Sequence, residues 1–210
     1  DDRMATYLKA TTRGELAAVA DQNKALLVAD PEVLANPKNF FDEVYEVDLS
    51  TLEPYLVGPH SPDVARPISA MAAEAKEKGW PTKLSSALIG SCTNSSYEDI
   101  GRSAFVAEQA MALGLTMHQP FLVSPGSTQI QNTIERDGQM KVFNEVGATV
   151  LANACGPCIG QWKRDDIKSG EKNTIVTSFN RNFRGRNDSN AETLAFIGSP
   201  ELVMALGLAG

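Results

Sequence analysis

Apolar positions along this chain follow two rhythms, and the change comes near residue 80. Before it, Ala5, Leu8, Leu16, Val19 and Leu26 recur at helix-compatible spacing over residues 1 to about 28, with Thr12-Arg13-Gly14 as an interruption. From Ala29 to Pro62 the pattern dissolves. Pro31, Pro37, Pro54 and Pro59 break any long element, and only Glu43–Asp48 alternates as a strand would. Proline this dense predicts an extended arm lying on another surface. Residues 63–79 then read as a helix ended by Gly79.

From Lys83 onward short apolar runs alternate with helical stretches. Runs at 85–90, 120–124, 148–152 and 174–178 predict strands, with helices at 97–113, 127–137 and 157–167 between them. A last helix, 200–208, follows Phe196-Ile197. This alternation predicts a three-layer α/β/α domain with a mainly parallel sheet and right-handed crossovers. A helical and proline-rich N-terminal arm precedes it. The expected division is 1–80 for the arm and 81–210 for the α/β domain.

Parallel strands end on one common edge, and ligands of α/β domains bind there. Cys92 follows the first strand run, Ser124-Pro125-Gly126-Ser127 the second, and Cys155 and Cys158 the third. The fourth leads into Asn180-Arg181-Asn182-Phe183-Arg184-Gly185-Arg186-Asn187. The topology therefore predicts that three cysteines and three arginines, far apart in sequence, meet on one rim.

Composition narrows what that rim can bind. A net charge of −7 disfavours nucleic acid and anionic lipid, so cations concentrated in one loop point to a small anion instead. No run of about 18 apolar residues exists, which leaves no candidate membrane-spanning helix in the sequence. Three cysteines are an odd number without the spacing of a secreted disulfide scaffold, so functional thiols in an intracellular protein are expected. Neither a signal peptide nor an Arg-rich presequence is visible, and the chain opens Asp1-Asp2-Arg3 without Met. A processed or excised piece of a longer protein is expected.

Three thiols admit several chemistries. Cys155-Gly156-Pro157-Cys158 alone has the spacing of a redox pair, but this leaves Cys92 without a role. Zinc wants a fourth ligand, and the two histidines, His60 and His118, lie in no motif with the cysteines. An iron–sulfur cluster held by three thiolates would leave one iron open as a Lewis acid. All three could also be inert buried cysteines, although the flanking Gly, Pro, Asn and Ser argue instead for backbone turns that can donate N–H bonds to sulfur. Arg181, Arg184 and Arg186 add guanidinium forks suited to carboxylates, so a small polycarboxylate beside such a cluster unites the two halves of the rim.

These segments also carry a family resemblance. Ile89-Gly-Ser-Cys-Thr-Asn-Ser95 and Cys155-Gly-Pro-Cys158-Ile-Gly160 resemble the two cluster motifs of the aconitase superfamily, and Ser178–Asn187 resembles its carboxylate-binding loop. Ala152–Trp162 and Gly170–Ile175 are similar to the mitochondrial type. The resemblance implies a [4Fe-4S] cluster on Cys92, Cys155 and Cys158, with Asn180, Arg181 and Arg186 contacting the substrate. It implies isomerisation of citrate to isocitrate through cis-aconitate, in the tricarboxylic acid cycle of the mitochondrial matrix. Arg184 does not match an arginine common to the motif and is left as general positive potential. Family members are several times longer and take their acid and base groups from other domains. This chain is therefore expected to be the cluster-binding domain alone, inactive without the remaining domains, with no catalytic acid or base of its own and no nucleic-acid or membrane partner. Two alternatives stay in view: an iron-regulatory RNA-binding relative, against which the acidic balance speaks, and a homoaconitase-type hydro-lyase.

Overall fold

The computed structural model describes residues 2–210; Asp1, at the head of the first expected helix, lies outside the described residues. A division between Glu53 and Pro54 separates two compact units. In the first, helices α1 (Asp2–Ala10) and α2 (Gly14–Gln22) are parted at Thr12, whose φ of 62° reverses the chain. Thr11 closes the end of α1 by donating its hydroxyl to Tyr7 O at 2.8 Å. A short helix α3 (Pro31–Ala35) opens on proline, whose missing N–H costs nothing at a first helical position. The strand expected at 43–48 does not form, and its residues are all exposed. Alternation alone makes a strand only where a second strand takes up its hydrogen bonds, and residues 36–53 contain none.

The second unit holds a seven-stranded sheet ordered β2-β1-β7-β6-β3-β4-β5. Its strands are β1 (Tyr55–Val57), β2 (Ala65–Pro67), β3 (Leu84–Ile89), β4 (Phe121–Val123), β5 (Thr149–Val150), β6 (Asn173–Thr177) and β7 (Thr193–Ile197). Strands β3 to β7 run parallel, while β1 pairs antiparallel with β2 and β7. The α/β class, the mainly parallel sheet and the helical N-terminal segment are as the sequence predicts. Residues 55–67, expected to run from an extended arm into the start of a helix over 63–79, instead form a hairpin on the sheet edge, and the helix itself is shortened to Met71–Glu77. Leu56 is buried in the hairpin, and three residues per strand are too few to show as a period.

Helices α4 (Met71–Glu77), α5 (Tyr97–Ala112), α6 (Thr128–Arg136), α7 (Gln139–Val146) and α8 (Pro200–Ala209) complete the unit. Ser96 and Asp99 form a reciprocal capping box on α5, and Ser127 and Ser199 cap α6 and α8. Gly138, at φ 92°, separates α7 from α6, and α7 was not foreseen. Phe121, Val176 and Phe196 of the sheet pack with Ile100, Phe143 and Met204 of the helices in one core.

Chain direction decides what covers the other face. From β3 through β4 to β5 the chain steps one way across the sheet, and to reach β6 it must return. Crossovers of one hand in opposite directions lie on opposite faces. The return, residues 151–172, was expected to be helical over 157–167. It forms only a tight 3-10 turn, Gly156–Ile159, ended by Gly160 at φ 90°. Cys158 and Trp162, whose spacing imitates a helical face, pack from this irregular chain onto Leu88, Leu122 and Phe179.

Gly207 sits where α8 crosses the sheet. A Cβ there would come within 2.5 and 2.6 Å of the Phe121 ring and 3.4 Å of Ala87 Cβ. Ala normally stabilises a helix interior by about 1 kcal/mol over Gly. Overpacking against a buried ring reverses the sign, so Gly207→Ala should lower stability by about 1–3 kcal/mol in urea unfolding of the 210-residue chain.

Candidate functional site

Cys92 enters the rim on the loop that leaves β3. Gly90 makes that exit possible: at φ 126° it brings its Cα so close to Ser124 that any Cβ would collide with the Ser124 carbonyl oxygen. The loop then folds on itself through a hydrogen bond from Ser95 Oγ to Ser91 O. Asn94 donates its amide to Ser178 O at 2.9 Å, and Ser178 Oγ donates back to Asn94 O at 3.2 Å. Asn180 Nδ2 reaches Thr93 Oγ1 at 3.4 Å. Loops from β3 and β6, the adjacent strands at which the connections diverge, are thus joined directly, as expected of a topological switch point.

The other two thiols sit on the turn after β5. Cys158 N donates to Cys155 O at 2.8 Å, so the two cysteines flank a single tight turn. Ser124 Oγ approaches Ala152 O at 3.5 Å and Ala154 O at 3.4 Å, steering the chain into that turn. A gap of about 10 Å³, no larger than one water molecule, lies between Ser91, Ser124, Leu151, Ala154, Pro157 and Cys158. All three cysteines are free thiols; Cys92 and Cys155 are exposed and Cys158 is buried. Among the described residues no three His, Cys, Asp or Glu side chains stand close enough together to hold a metal ion. The donor chemistry nevertheless fits a thiolate-held cluster: three unpaired sulfurs come from two loops on one rim. Rotation about χ1 relocates each exposed sulfur without moving the fold.

The arginine loop closes against the thiol turn. Arg186 Nε donates to Cys158 O at 3.0 Å, and the buried Asn187 donates its amide to Pro157 O at 3.1 Å. Arg181 is exposed and donates to Asn180 O at 2.6 Å. Arg184 departs from expectation. Its Nη2 lies 2.6 Å from Glu192 and its Nε donates to Ala191 O, so its charge is offset rather than contributed to the rim.

This separates the arginines of the second unit into two groups. Arg66, Arg102, Arg136, Arg164 and Arg184 each pair with a carboxylate, namely Glu74, Glu98 with Glu201, Asp137, Asp166 with Asp188, and Glu192. Arg181 and Arg186 have no carboxylate partner among the described residues and donate only to backbone carbonyls. Two arginines of the second unit are thus left without a carboxylate, and one of them, Arg186, lies against the turn that bears Cys155 and Cys158.

Sequence reasoning missed several supports of this rim. Arg164 and Asp188 are nearly inaccessible and lie 3.6 Å apart; Arg164 also meets Asp166 at 2.5 Å and donates to Asn173 Oδ1 at 3.0 Å. The Arg164 guanidinium holds the Asp166 carboxyl below the usual carboxylate range. These contacts fasten the chain following the thiol turn to β6. The signal available was the Trp162-Lys-Arg-Asp-Asp166 cluster, in which Arg164 also stacks 4.8 Å from the Trp162 ring. His60 packs beside the arginine loop, bridging to Phe183.

A family model described as the Aconitase family (aconitate hydratase) matches residues 1–210. A Dictyostelium discoideum protein named probable aconitate hydratase, mitochondrial, is 56% identical over 208 residues, covering 99% of this chain and 26% of that protein. The Saccharomyces cerevisiae aconitate hydratase, mitochondrial, is 55% identical with the same coverage. That of Gracilaria gracilis is 50% identical over 210 residues, all of this chain and 26% of its own length. The chain spans about a quarter of the length of these curated relatives.

Burial pushes the His60 imidazole below its ordinary value; the Arg184 charge acts in the same direction and Glu192 opposes it. As pH falls below about 6.5 the unfolded chain therefore takes up this proton first, and stability declines through that window. His60→Asn should flatten the difference in urea midpoint between about pH 5 and pH 7. An unchanged slope would remove His60 as its source.

Proposed function

This chain belongs to the aconitase family, and from that premise we propose that it is the cluster- and carboxylate-binding part of a mitochondrial aconitate hydratase. The observation that carries this reading is the pair of uncommitted arginines, Arg181 and Arg186, on the rim that bears Cys92, Cys155 and Cys158. The three thiolates would hold a [4Fe-4S] cluster, which when bound supplies a Lewis-acidic iron to a substrate hydroxyl. Arg181 and Arg186 grip carboxylates of citrate, cis-aconitate or isocitrate through paired N–H donors. Asn180, already within reach of the Cys92 loop through Thr93, orients the substrate by donating from its amide. The buried side of the thiol turn, Cys158 against Leu88 and Phe179, keeps water from one flank of the site.

The two histidines stand apart from these residues. His60 has a lowered pKa and His118 lies on the exposed approach to β4, so we assign neither as acid or base. The proton-transfer groups belong to the remainder of the protein, and activity belongs to the full-length enzyme in the mitochondrial matrix. Among the described residues no helix is long and apolar enough to cross a membrane, and an acidic chain suits a small-anion ligand better than nucleic acid.

Two measurements test this. Anaerobic reconstitution of the 210-residue chain should yield iron and acid-labile sulfide together with visible absorbance, and Cys92→Ser, Cys155→Ser or Cys158→Ser should each remove most of both. Full retention in any of the three cancels that ligand. The purified chain should not turn over citrate, whereas the full-length parent should, losing on the order of 100-fold or more in kcat/KM with Arg186→Ala. Substantial turnover by the 210-residue chain alone would falsify the division of labour.

A further inference from the structure

Between Phe179 and Asp188 the rim loop contains only two buried residues, Asn182 and Asn187. No apolar side chain of residues 180–187 is buried in the core, so hydrogen bonds must set this loop's path. Asn187 ties one end to the thiol turn. Asn182 ties the other end to the sheet. Its side chain is fully buried, and its Nδ2 lies 3.1 Å from Ala195 O, 3.2 Å from Ser61 O and 3.4 Å from Val57 O. Those carbonyls come from three separate pieces of backbone: β7, the turn after β1, and β1 itself. The fit leaves no slack, because a Cβ on Gly58 would collide with the same Nδ2. On either side of Asn182, Arg181 and Phe183 are exposed.

We propose that Asn182 is the positioning residue of the carboxylate site: by locking the loop onto three carbonyls it aims Arg181 outward and fixes the distance to Arg186. The assignment rests on the carboxylate-binding reading above and adds to it a residue that touches neither substrate nor cluster. A guanidinium on an unanchored loop must be ordered when the carboxylate binds, and that ordering weakens binding in ground state and transition state alike. The expected signature is a KM effect with kcat preserved.

The test uses the full-length parent enzyme with its cluster reconstituted, and compares Asn182→Ala with Asn182→Ser, which keeps one hydroxyl donor. For Asn182→Ala, KM for citrate and the inhibition constant of propane-1,2,3-tricarboxylate should both rise about 10- to 100-fold. The kcat value should stay within about threefold, and iron and acid-labile sulfide content should match wild type. Asn182→Ser should fall between the two. Unchanged KM and inhibition constant in a soluble Asn182→Ala enzyme overturn the proposal while leaving the carboxylate reading intact. So does a parallel loss of KM, kcat, metal content and melting temperature, or failure of both variants to accumulate as folded protein, because each assigns Asn182 to the fold alone. A wild-type parent inert on citrate removes the reading and this inference together.

Discussion

Two reciprocal hydrogen bonds hold the rim together: Asn94 Nδ2 to Ser178 O and Ser178 Oγ to Asn94 O. Ser178 is fully buried, and its hydroxyl also accepts from Gly90 N at 3.1 Å. One small side chain at the end of β6 thereby satisfies a backbone donor and a backbone acceptor of the segment that leaves β3. A larger or apolar residue at 178 would leave these backbone groups buried without partners, at about 1–3 kcal/mol each. Once the loops are joined here, Thr93 meets Asn180, and the segment bearing Cys92 cannot move independently of the segment bearing Arg181. The position of a thiol and the position of a cation are therefore one structural variable.

Charge pairing sets the same rim apart from the rest of the second unit. Exposed ion pairs such as Arg102 with Glu98 contribute little to stability, typically about 0–1 kcal/mol. Their effect on ligand binding is larger than their effect on the fold, because every paired arginine is withdrawn from competition for an external carboxylate. The second unit pairs its arginines almost everywhere, and the exceptions are the two on the loop after β6, Arg181 and Arg186. Under the carboxylate-binding reading, these two guanidinium groups are where an otherwise acidic surface would accept a small anion.

The sequence made the architecture legible wherever strands were long enough to show continuous burial, as at Leu84–Ile89 and Asn173–Thr177. It also showed the rim, because parallel order forces the cysteines and the arginine loop onto one edge. The N-terminal boundary of the sheet was not legible: Tyr55–Val57 and Ala65–Pro67 are too short to carry a period and sit among prolines that suggest an arm. The run after Cys158 misled for the opposite reason. Trp162 and Cys158 stand four apart as on a helix, yet Gly160 turns the chain left-handed between them. Arg184 looked like part of the anion site by its neighbours in sequence. Glu192, eight residues on, takes its charge, and only the fold brings the two together.

Asn182 shows why a functional loop is anchored by a polar side chain and not by a core residue. Its amide offers two N–H bonds to three carbonyls, so at least one bond is shared, and its own Oδ1 finds no donor among the described residues. Judged for stability alone this is a poor arrangement, since unpaired buried acceptors are unfavourable. An apolar residue would be worse, leaving all three carbonyls without that donor, whereas a core-forming side chain would draw the loop inward and with it Arg181. A single amide bonded to three strands of backbone fixes direction while leaving the flanking side chains exposed. The incomplete hydrogen bonding is what the fold tolerates to keep Arg181 exposed and Arg186 against the thiol turn, neither of them paired with a carboxylate.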